Sequence, residues 1–189
     1  MTTDRIHLRK ARRRDRSVSD EAWIKAMLHS AGVGVLATVR DGQPFVNSNL
    51  FVFDEDAGAI YTHTARSGET RDNVEGNERV AFTVFELGRL LPADTALEFS
   101  AEYASVVIFG RASIAADQVE AGRALQALLD KYCPDLVPGR DYQAITPEEL
   151  DRTSVYRITI DEWSAKRKVV PKEFAGARPY VQPTMLTTE

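Results

Sequence analysis

Two predicted strands and the start of a helix follow one another closely in the first half of the chain. Apolar and polar residues alternate along Phe45–Phe53 and again along Ala59–Thr64, as in β-strands that bury one face. Ser67 and Gly68 then lead into a polar segment, Thr70–Glu75, that has the character of a short helix. A strand that passes through a glycine turn into a helix is the most constraining local feature of this sequence.

The rest of the chain adds more strands than helices. Further strands are predicted at Val33–Val39, Arg79–Phe85, Tyr103–Ile114 and Ser154–Ile160, with a hairpin turn at Asp41–Gly42 and a bulge at Gly110. Helices are predicted at about Asp20–His29, capped by Ser17 or Ser19, at Asp117–Tyr132, and after a capping box at Thr146–Glu149. The fold class is therefore α+β, a small antiparallel six-stranded barrel flanked by helices.

Composition narrows the class of protein. The chain has 189 residues, of which 43% are apolar, and no apolar run long enough to span a membrane. No apolar stretch follows Met1, so we expect no signal peptide and a cytoplasmic protein. Three histidines and the single Cys133 argue against a zinc site and exclude an internal disulfide.

The N-terminus is strongly basic although the chain as a whole carries a net charge of −4. Residues 1–16 contain seven Lys or Arg residues against two Asp. This arm would bind nucleic acid or pair with acidic patches on its own body or on a partner subunit. We favour the pairing, because neither aromatic residues nor a groove-reading helix accompany the basic run. We divide the chain into the arm (1–16), a barrel domain (17–170) and a C-terminal tail (171–189).

The predicted helix start has the chemistry of a phosphate site. The first backbone N–H groups of a helix attract an anion, and Gly68 allows a ligand to approach closely. Ser67 and Thr70 add hydroxyl donors, and Arg71 adds a guanidinium suited to a bidentate phosphate contact. The alternative is an ordinary helix with a solvent-exposed Arg71.

The strands beside this helix carry unusual polar residues. Asparagine is depleted inside strands, yet Asn47 and Asn49 alternate on one face with Ser48 between them. Buried amides need partners, which a ligand, a neighbouring strand or water would supply. His63 shares a face with Tyr61, and without a carboxylate at a diagnostic spacing it is only a candidate catalytic residue.

A tryptophan and a lysine follow the last predicted strand. Trp163 would cover a flat ring while Lys166 reaches an anion. The alternative is a solvated basic turn anchored by the tryptophan.

Five segments together resemble the pyridoxamine 5′-phosphate oxidase-like superfamily of FMN-binding split barrels, in particular the flavin-nucleotide-binding branch that includes the nitroimidazole-resistance proteins. In chain order they are LATVRDGQPFVNSNLFVFDE at 36–55, IYTHTARSG at 60–68, LPADTALEFSAEYASVVIFGRA at 91–112, ALLDKYCPD at 127–135 and TSVYRITIDEWSAKRK at 153–168. The similarity extends from about Arg13 to Lys168.

The resemblance implies a homodimer with two FMN molecules at the subunit interface. The flavin ring would lie along the strand that carries Val46–Asn49. The His63–Thr64 strand end and the Thr70–Arg71 turn would hold the ribityl phosphate, and Trp163 and Lys166 would contribute from the other subunit. The cofactor-binding residues implied are Val46, Asn47, Ser48, Asn49, Thr62, His63, Thr64, Ser67, Thr70, Arg71, Trp163 and Lys166.

The resemblance also implies a function. We expect an FMN-dependent oxidoreductase that acts by hydride transfer on a small nitro or quinone-like molecule. Relatives often have lysine where Thr70 stands, and the chain lacks the arginine-rich ending of true pyridoxamine phosphate oxidases, so we do not expect that activity. The alternatives are a protein that stores or senses flavin nucleotide, and the same barrel binding deazaflavin or haem with His63 as the axial ligand.

Overall fold

The computed structural model describes residues 13–181, which form one eight-stranded antiparallel sheet with four α-helices. The strands are β1 (Ser17–Val18), β2 (Gly34–Arg40), β3 (Gln43–Asn49), β4 (Phe51–Asp54), β5 (Ala59–Ala65), β6 (Arg79–Leu91), β7 (Ser100–Ile114) and β8 (Thr153–Lys168). The helices are α1 (Glu21–Ser30), α2 (Glu69–Gly76), α3 (Gln118–Tyr132) and α4 (Pro147–Asp151).

The sheet closes on itself at a single residue. Its strand order is β3-β2-β6-β7-β8-β5-β4, and β1 pairs with the C-terminal part of β8. The two strands at the ends of this order, β3 and β4, are separated in the chain by Leu50 alone. Because consecutive Cα atoms lie about 3.8 Å apart, the two edges of the sheet meet there. The result is a barrel within an α+β fold, as the sequence predicts.

The prediction of six strands is wrong in number. The strand predicted at Phe45–Phe53 is two strands that break at the exposed Leu50, because its halves pair with different neighbours, β2 and β5. The short β1 is a further strand. β6 and β8 run beyond their predicted ends at Phe85 and Ile160, since both extend their pairing with β7.

The predicted hairpin turn at Asp41–Gly42 and the predicted bulge at Gly110 are both confirmed. Asp41 and Gly42 both have positive φ, 52° and 80°, as a tight hairpin turn between β2 and β3 requires. The pairing of β7 with β8 shifts register at Gly110, where an added Cβ would lie 2.1 Å from the carbonyl oxygen of Thr159. Only glycine fits at this bend of the barrel.

The helix caps follow the predictions with one exception. Asp117 caps α3, and Thr146 and Glu149 form the predicted capping box of α4. The predicted cap of α1 at Ser17 or Ser19 is wrong. The carboxylate of Asp20 caps that helix instead, since it accepts hydrogen bonds from the backbone N–H groups of Ala22 and Trp23, the second and third residues of α1.

The barrel interior is the main hydrophobic core. The buried side chains of Ile24, Met27 and Leu28 on α1 pack there against inward-facing strand residues such as Phe51 and Phe82. A smaller cluster lies between the outside of the barrel and α3. None of the helices within residues 13–181 is long and apolar enough to cross a membrane.

The first part of the predicted tail is attached to the barrel. Arg89 on β6 pairs with Glu102 on β7 at 2.8 Å and donates hydrogen bonds to the carbonyls of residues 170–172. Leu90 pairs with Arg178 in an antiparallel bridge. Most of the predicted basic arm, residues 1–12, lies outside the described residues.

Candidate functional site

The turn between β5 and α2 carries the predicted phosphate site. Gly68 adopts a φ of 140°, which favours glycine, and α2 begins at the next residue, Glu69. No side chain of residues 13–181 caps this helix start, and Ser67, Gly68 and Glu69 are exposed. The first backbone amides of α2 are therefore available to a ligand. Glu69 and Asp72 in the first turn offset part of the attraction of the helix dipole for an anion.

β3 reaches this helix start through a polar contact. Asn47 donates from Nδ2 to Oγ1 of Thr70 at 3.3 Å, and Thr70 is only 5% exposed. Asn49 donates to the backbone carbonyl of Asn47 at 3.1 Å. Two predicted site residues on different elements are thus in direct contact. In this geometry the Thr70 hydroxyl positions the amide of Asn47. The predicted contact of Thr70 with a phosphate stays a prediction.

The residues of β3 point in two directions. Asn47 pairs with the buried core residue Leu36 of β2, and directly paired residues share a face, so Asn47 and Asn49 point toward the barrel interior. Val46 and Ser48 point outward and are exposed. The predicted alternation of the two asparagines on one face is confirmed. A ligand that contacts both sets of residues therefore has to lie at the edge of β3.

Val46 and Ser48 belong to a continuous surface, which we call the outer face, formed by the outward residues of β2, β3, β6, β7 and β8. One row across it comprises Ser48, Val35, Thr83, Val107 and Ser164, and the next comprises Val46, Ala37, Ala81, Phe109 and Glu162. Val46 is 63% exposed, and Phe85, farther along β6, is 59% exposed. A largely apolar sheet surface that is open to this extent is typical of an interaction site.

The predicted residues of β5 also separate onto two faces. Thr62 is fully buried and donates to the carbonyl of Leu50 at 2.9 Å, and the hydroxyl of Thr64 lies 2.9 Å from that of Tyr156. His63 lies on the opposite face, where its ring has no hydrogen-bond partner within residues 13–181. Although the side chain reaches solvent, desolvation by the surrounding protein lowers the pKa of His63 below 6.5. The imidazole is therefore neutral at neutral pH.

Two arginines flank the turn before α2, and one of them is already paired. Arg71 donates to Glu75 at 2.8 Å and to Oγ of Ser154 at 2.9 Å. Arg66 is exposed, and its side chain makes no hydrogen bond or ion pair with any part of the chain that the structure describes. The sequence analysis did not include Arg66 among the candidate phosphate-binding residues. Glu75 lies four residues after Arg71 on the helix, and this spacing indicates that the two side chains pair. The same spacing would have pointed to Arg66 as the arginine left for a ligand.

Trp163 and Lys166 lie within β8 and not in a turn after it. Trp163 packs against the main core next to Ala165, so it points into the barrel. Lys166 pairs with Ser105 on the outer face, is half-buried, and has no partner for its ammonium group among residues 13–181. Since the two side chains point to opposite faces of the sheet, they do not contact one flat ligand together.

A family model described as pyridoxamine 5′-phosphate oxidase matches residues 20–167. The chain belongs to the pyridoxamine 5′-phosphate oxidase family. The matched region begins at the cap of α1 and ends one residue before the end of β8. It therefore covers β2 to β7, all of β8 except Lys168, the α-helices named above, and every predicted site residue. No curated protein matches this chain.

Solved structures share the fold of this family member at low sequence identity. The flavocytochrome Anf3 from Azotobacter vinelandii matches with a TM-score of 0.77 and 23% identity, over 95% of this chain and 86% of its own. A FAD and heme binding protein from Mycobacterium smegmatis matches with a TM-score of 0.73 and 24% identity, over 89% and 88% of the two chains. A candidate 5-nitroimidazole antibiotic resistance protein from Bacteroides thetaiotaomicron matches with a TM-score of 0.66 and 17% identity, over 80% and 86%.

Proposed function

We propose that this member of the family binds a flavin nucleotide, of which FMN is the simplest form, and uses it as an oxidoreductase. The observation that carries the proposal is the contact of Asn47 with Thr70 at the start of α2, next to Arg66, which has no partner among residues 13–181. This arrangement places hydrogen-bonding groups for a ring edge beside groups suited to a phosphate. The names of two similar structures, a flavocytochrome and a FAD and heme binding protein, support a flavin as the ligand.

The phosphate of the flavin is assigned to the turn before α2. Ser67 and the first amides of the helix would donate hydrogen bonds to it, and Arg66 would supply the positive charge. Arg71 would add a second cation at the cost of its present contacts with Glu75 and Ser154. The residues present therefore fit a phosphorylated cofactor even though the lysine common in relatives is replaced by Thr70.

A homodimer is part of the proposal. Ser48 on β3 and Ser164 on β8 are separated by three strands in the same row of the outer face, so they lie about 19 Å apart along the sheet. We therefore assign the Lys166 and the Val46 that contact one flavin ring to different copies. A second copy packed against the outer face would bring its Lys166 to the first copy's β3 and would cover the exposed apolar residues.

The chemistry follows from the cofactor and the residues around it. A bound flavin supplies hydride transfer at its ring, and the protein supplies orientation and an environment with little water. The apolar outer face suits a small flat substrate such as a nitro or quinone compound. Lys166 would place positive charge near the ring, which favours a reduced flavin.

Binding of flavins to the purified protein tests this function. We expect FMN or FAD to bind at micromolar concentration or below, measured by the change in flavin fluorescence on titration. Riboflavin, which lacks the phosphate, is the matched control and should bind much more weakly. If none of these compounds binds, the proposal is wrong. If flavin binds but NADH or NADPH with nitro and quinone acceptors gives no turnover, the protein is a flavin store or sensor.

A second candidate is haem, with His63 as the axial ligand. The observation that favours it is the neutral, exposed imidazole of His63 without a hydrogen-bond partner among residues 13–181, since neutral imidazole is the form that ligates iron. Reconstitution with haem, followed by its absorption spectrum in the wild type and in His63→Ala, distinguishes this ligand. A deazaflavin is tested in the same flavin titration.

A further inference from the structure

The hydroxyl of Tyr132 lies at the point where the chain separates into β3 and β4. Tyr132 is the last residue of α3, and its hydroxyl accepts a hydrogen bond from the backbone N–H of Phe51 at 3.1 Å. The same oxygen lies 2.8 Å from the carbonyl oxygen of Gly32 and 3.1 Å from that of Phe51. A side chain of α3 therefore joins the first residue of β4 to the loop before β2.

This hydroxyl lies where the pairing of β2 with β3 would otherwise continue. Gly34 pairs with Asn49 at the end of that ladder, and the same register would place Gly32 opposite Phe51. Phe51 pairs with β5 instead, and its N–H points to Tyr132. Because the hydroxyl contacts both Gly32 and Phe51, it ends the ladder and fixes the place at which the chain leaves β2 and pairs with β5.

The hydroxyl of Tyr132 both donates and accepts at this position. Burial raises the pKa of Tyr132, so the group keeps its proton at neutral pH. It donates this proton to the nearer carbonyl, that of Gly32, and accepts from Phe51, which is completely buried. A buried backbone N–H needs a partner, and β4 is the last strand in the order of the sheet. Tyr132 therefore takes the place that a further strand would have beside Phe51.

Two further side chains hold the same junction. The ammonium of Lys131, the preceding residue of α3, donates to the carbonyl of Ala31 at 2.8 Å and lies 3.8 Å from the centre of the Phe51 ring. On β5, the hydroxyl of Thr62 donates to the carbonyl of Leu50 at 2.9 Å. The junction of β3 and β4 is therefore fixed both from α3 and from β5.

The junction controls the end of the strand along which the proposed flavin ring lies. Asn49, the last residue of β3, is two residues before Phe51 and donates to the carbonyl of Asn47. At about 3.3 Å per residue the two positions are roughly 7 Å apart, so a shift of Phe51 also moves Asn49. We infer that Tyr132 is a positioning residue for the flavin ring, because its hydroxyl holds the end of β3 so that both asparagine amides face the ring edge. The inference rests on the proposed function and gives Tyr132 no contact with the flavin itself.

Removing only the hydroxyl tests the inference. Tyr132→Phe keeps the ring of the side chain and leaves the N–H of Phe51 without this partner. We expect the dissociation constants of FMN and of riboflavin to rise by the same factor, about fivefold, because ring contacts are weakened and phosphate contacts are kept. Arg66→Ala should instead weaken the binding of FMN and leave that of riboflavin unchanged.

The visible circular dichroism of bound FMN provides a second readout, since it reports the surroundings of the flavin ring. At saturating FMN we expect this spectrum to differ between Tyr132→Phe and the wild type. A merely structural role of Tyr132 would lower the denaturation midpoint and leave the spectrum as in the wild type.

Two other variants sharpen this test. Tyr142→Phe is the matched control, because it also removes a phenol hydroxyl bonded to α3, one that accepts from Gln126 at 2.8 Å. It should show the affinities and the spectrum of the wild type. Thr62→Val removes the contact with the carbonyl of Leu50 and should change the same bands of the spectrum as Tyr132→Phe.

If Tyr132→Phe binds both flavins with wild-type affinity and spectrum, or loses affinity for FMN alone, the inference is wrong while the flavin function stands. Failure of the wild type to bind either flavin would instead contradict the proposed function and the inference together.

Discussion

The amide of Asn47 on β3 donates to the hydroxyl of Thr70 in the first turn of α2, across 3.3 Å. This contact joins the strand that would follow the flavin ring to the helix that would hold its phosphate. The two residues are 23 positions apart in the sequence, so the contact exists only in the folded barrel.

Removing the hydroxyl of Thr70 should weaken flavin binding more than it weakens the fold. Thr70→Val keeps the shape of the side chain but leaves the Asn47 amide without its partner, which costs about 1 kcal/mol of stability. We expect a several-fold rise in the dissociation constant of FMN, measured by titration, with only a small change in the denaturation midpoint. Thr95→Val, at an exposed loop position, is the control. An unchanged dissociation constant in Thr70→Val would show that the hydrogen bond between Asn47 and Thr70 does not support flavin binding.

The two arginines before and in α2 should behave differently when replaced. Arg66→Ala removes an exposed side chain, so we expect weaker binding of FMN and no change in stability. Arg71→Ala also removes the contacts with Glu75 and Ser154, so it should lower stability as well as affinity. Denaturation curves and FMN titrations measured together separate the two effects. The phosphate assignment is wrong if Arg66→Ala and Arg71→Ala both bind FMN as tightly as the wild type.

A charge on the outer face should prevent dimer formation. Val46 is 63% exposed on this face, and in the proposed dimer Val46→Asp would bury a carboxylate against apolar residues. We expect a monomer by analytical ultracentrifugation, together with loss of flavin binding. Val119→Asp, at an 81% exposed position on α3, is the matched control and should leave the assembly unchanged. A Val46→Asp protein that assembles like the control would place the interface elsewhere.

Lys131 should make stability depend on pH above neutrality. Desolvation lowers the pKa of Lys131 to about 8, against 10.5 for an unperturbed lysine, although its ammonium donates to the carbonyl of Ala31 and lies 3.8 Å from the centre of the Phe51 ring. Between these two pKa values the unfolded chain binds the proton more strongly than the folded one. A rise in pH from 8 toward 10.5 therefore stabilises the fold through this group.

Lys131→Met lacks the titrating group and should lack this part of the pH dependence. Free energies of unfolding in denaturant at both ends of that pH range, for both proteins, measure the difference. Identical pH profiles would show that Lys131 is not desolvated.

Much of the fold follows from local sequence signals. The turn at Asp41–Gly42, the bulge at Gly110 and the capping box at Thr146 each depend on the conformation of a few adjacent residues, so the sequence predicts them. The break at Leu50 does not follow from local pattern, because alternation continues through it unchanged. Only the pairing of β3 with β2 and of β4 with β5 reveals that the barrel closes there.

In the candidate site, too, local features follow from the sequence and contacts between distant segments do not. The alternation of polar residues correctly placed Asn47 and Asn49 on one face. Which side chains are already paired depends on contacts between distant segments, such as that of Arg71 with Ser154. The i,i+4 spacing indicates only the pair of Arg71 with Glu75, whereas the contact with Ser154 becomes visible only in the folded barrel.

In the proposed assembly a flavin lies between two copies of this chain, and both copies contribute to each site. Native mass spectrometry of the protein, after incubation with excess FAD or FMN and removal of the free flavin, measures the number of polypeptides and of flavins at once. We expect a single species that contains two polypeptides and two flavins. A flavin-bound monomer, or a dimer that carries no flavin, would contradict this assembly.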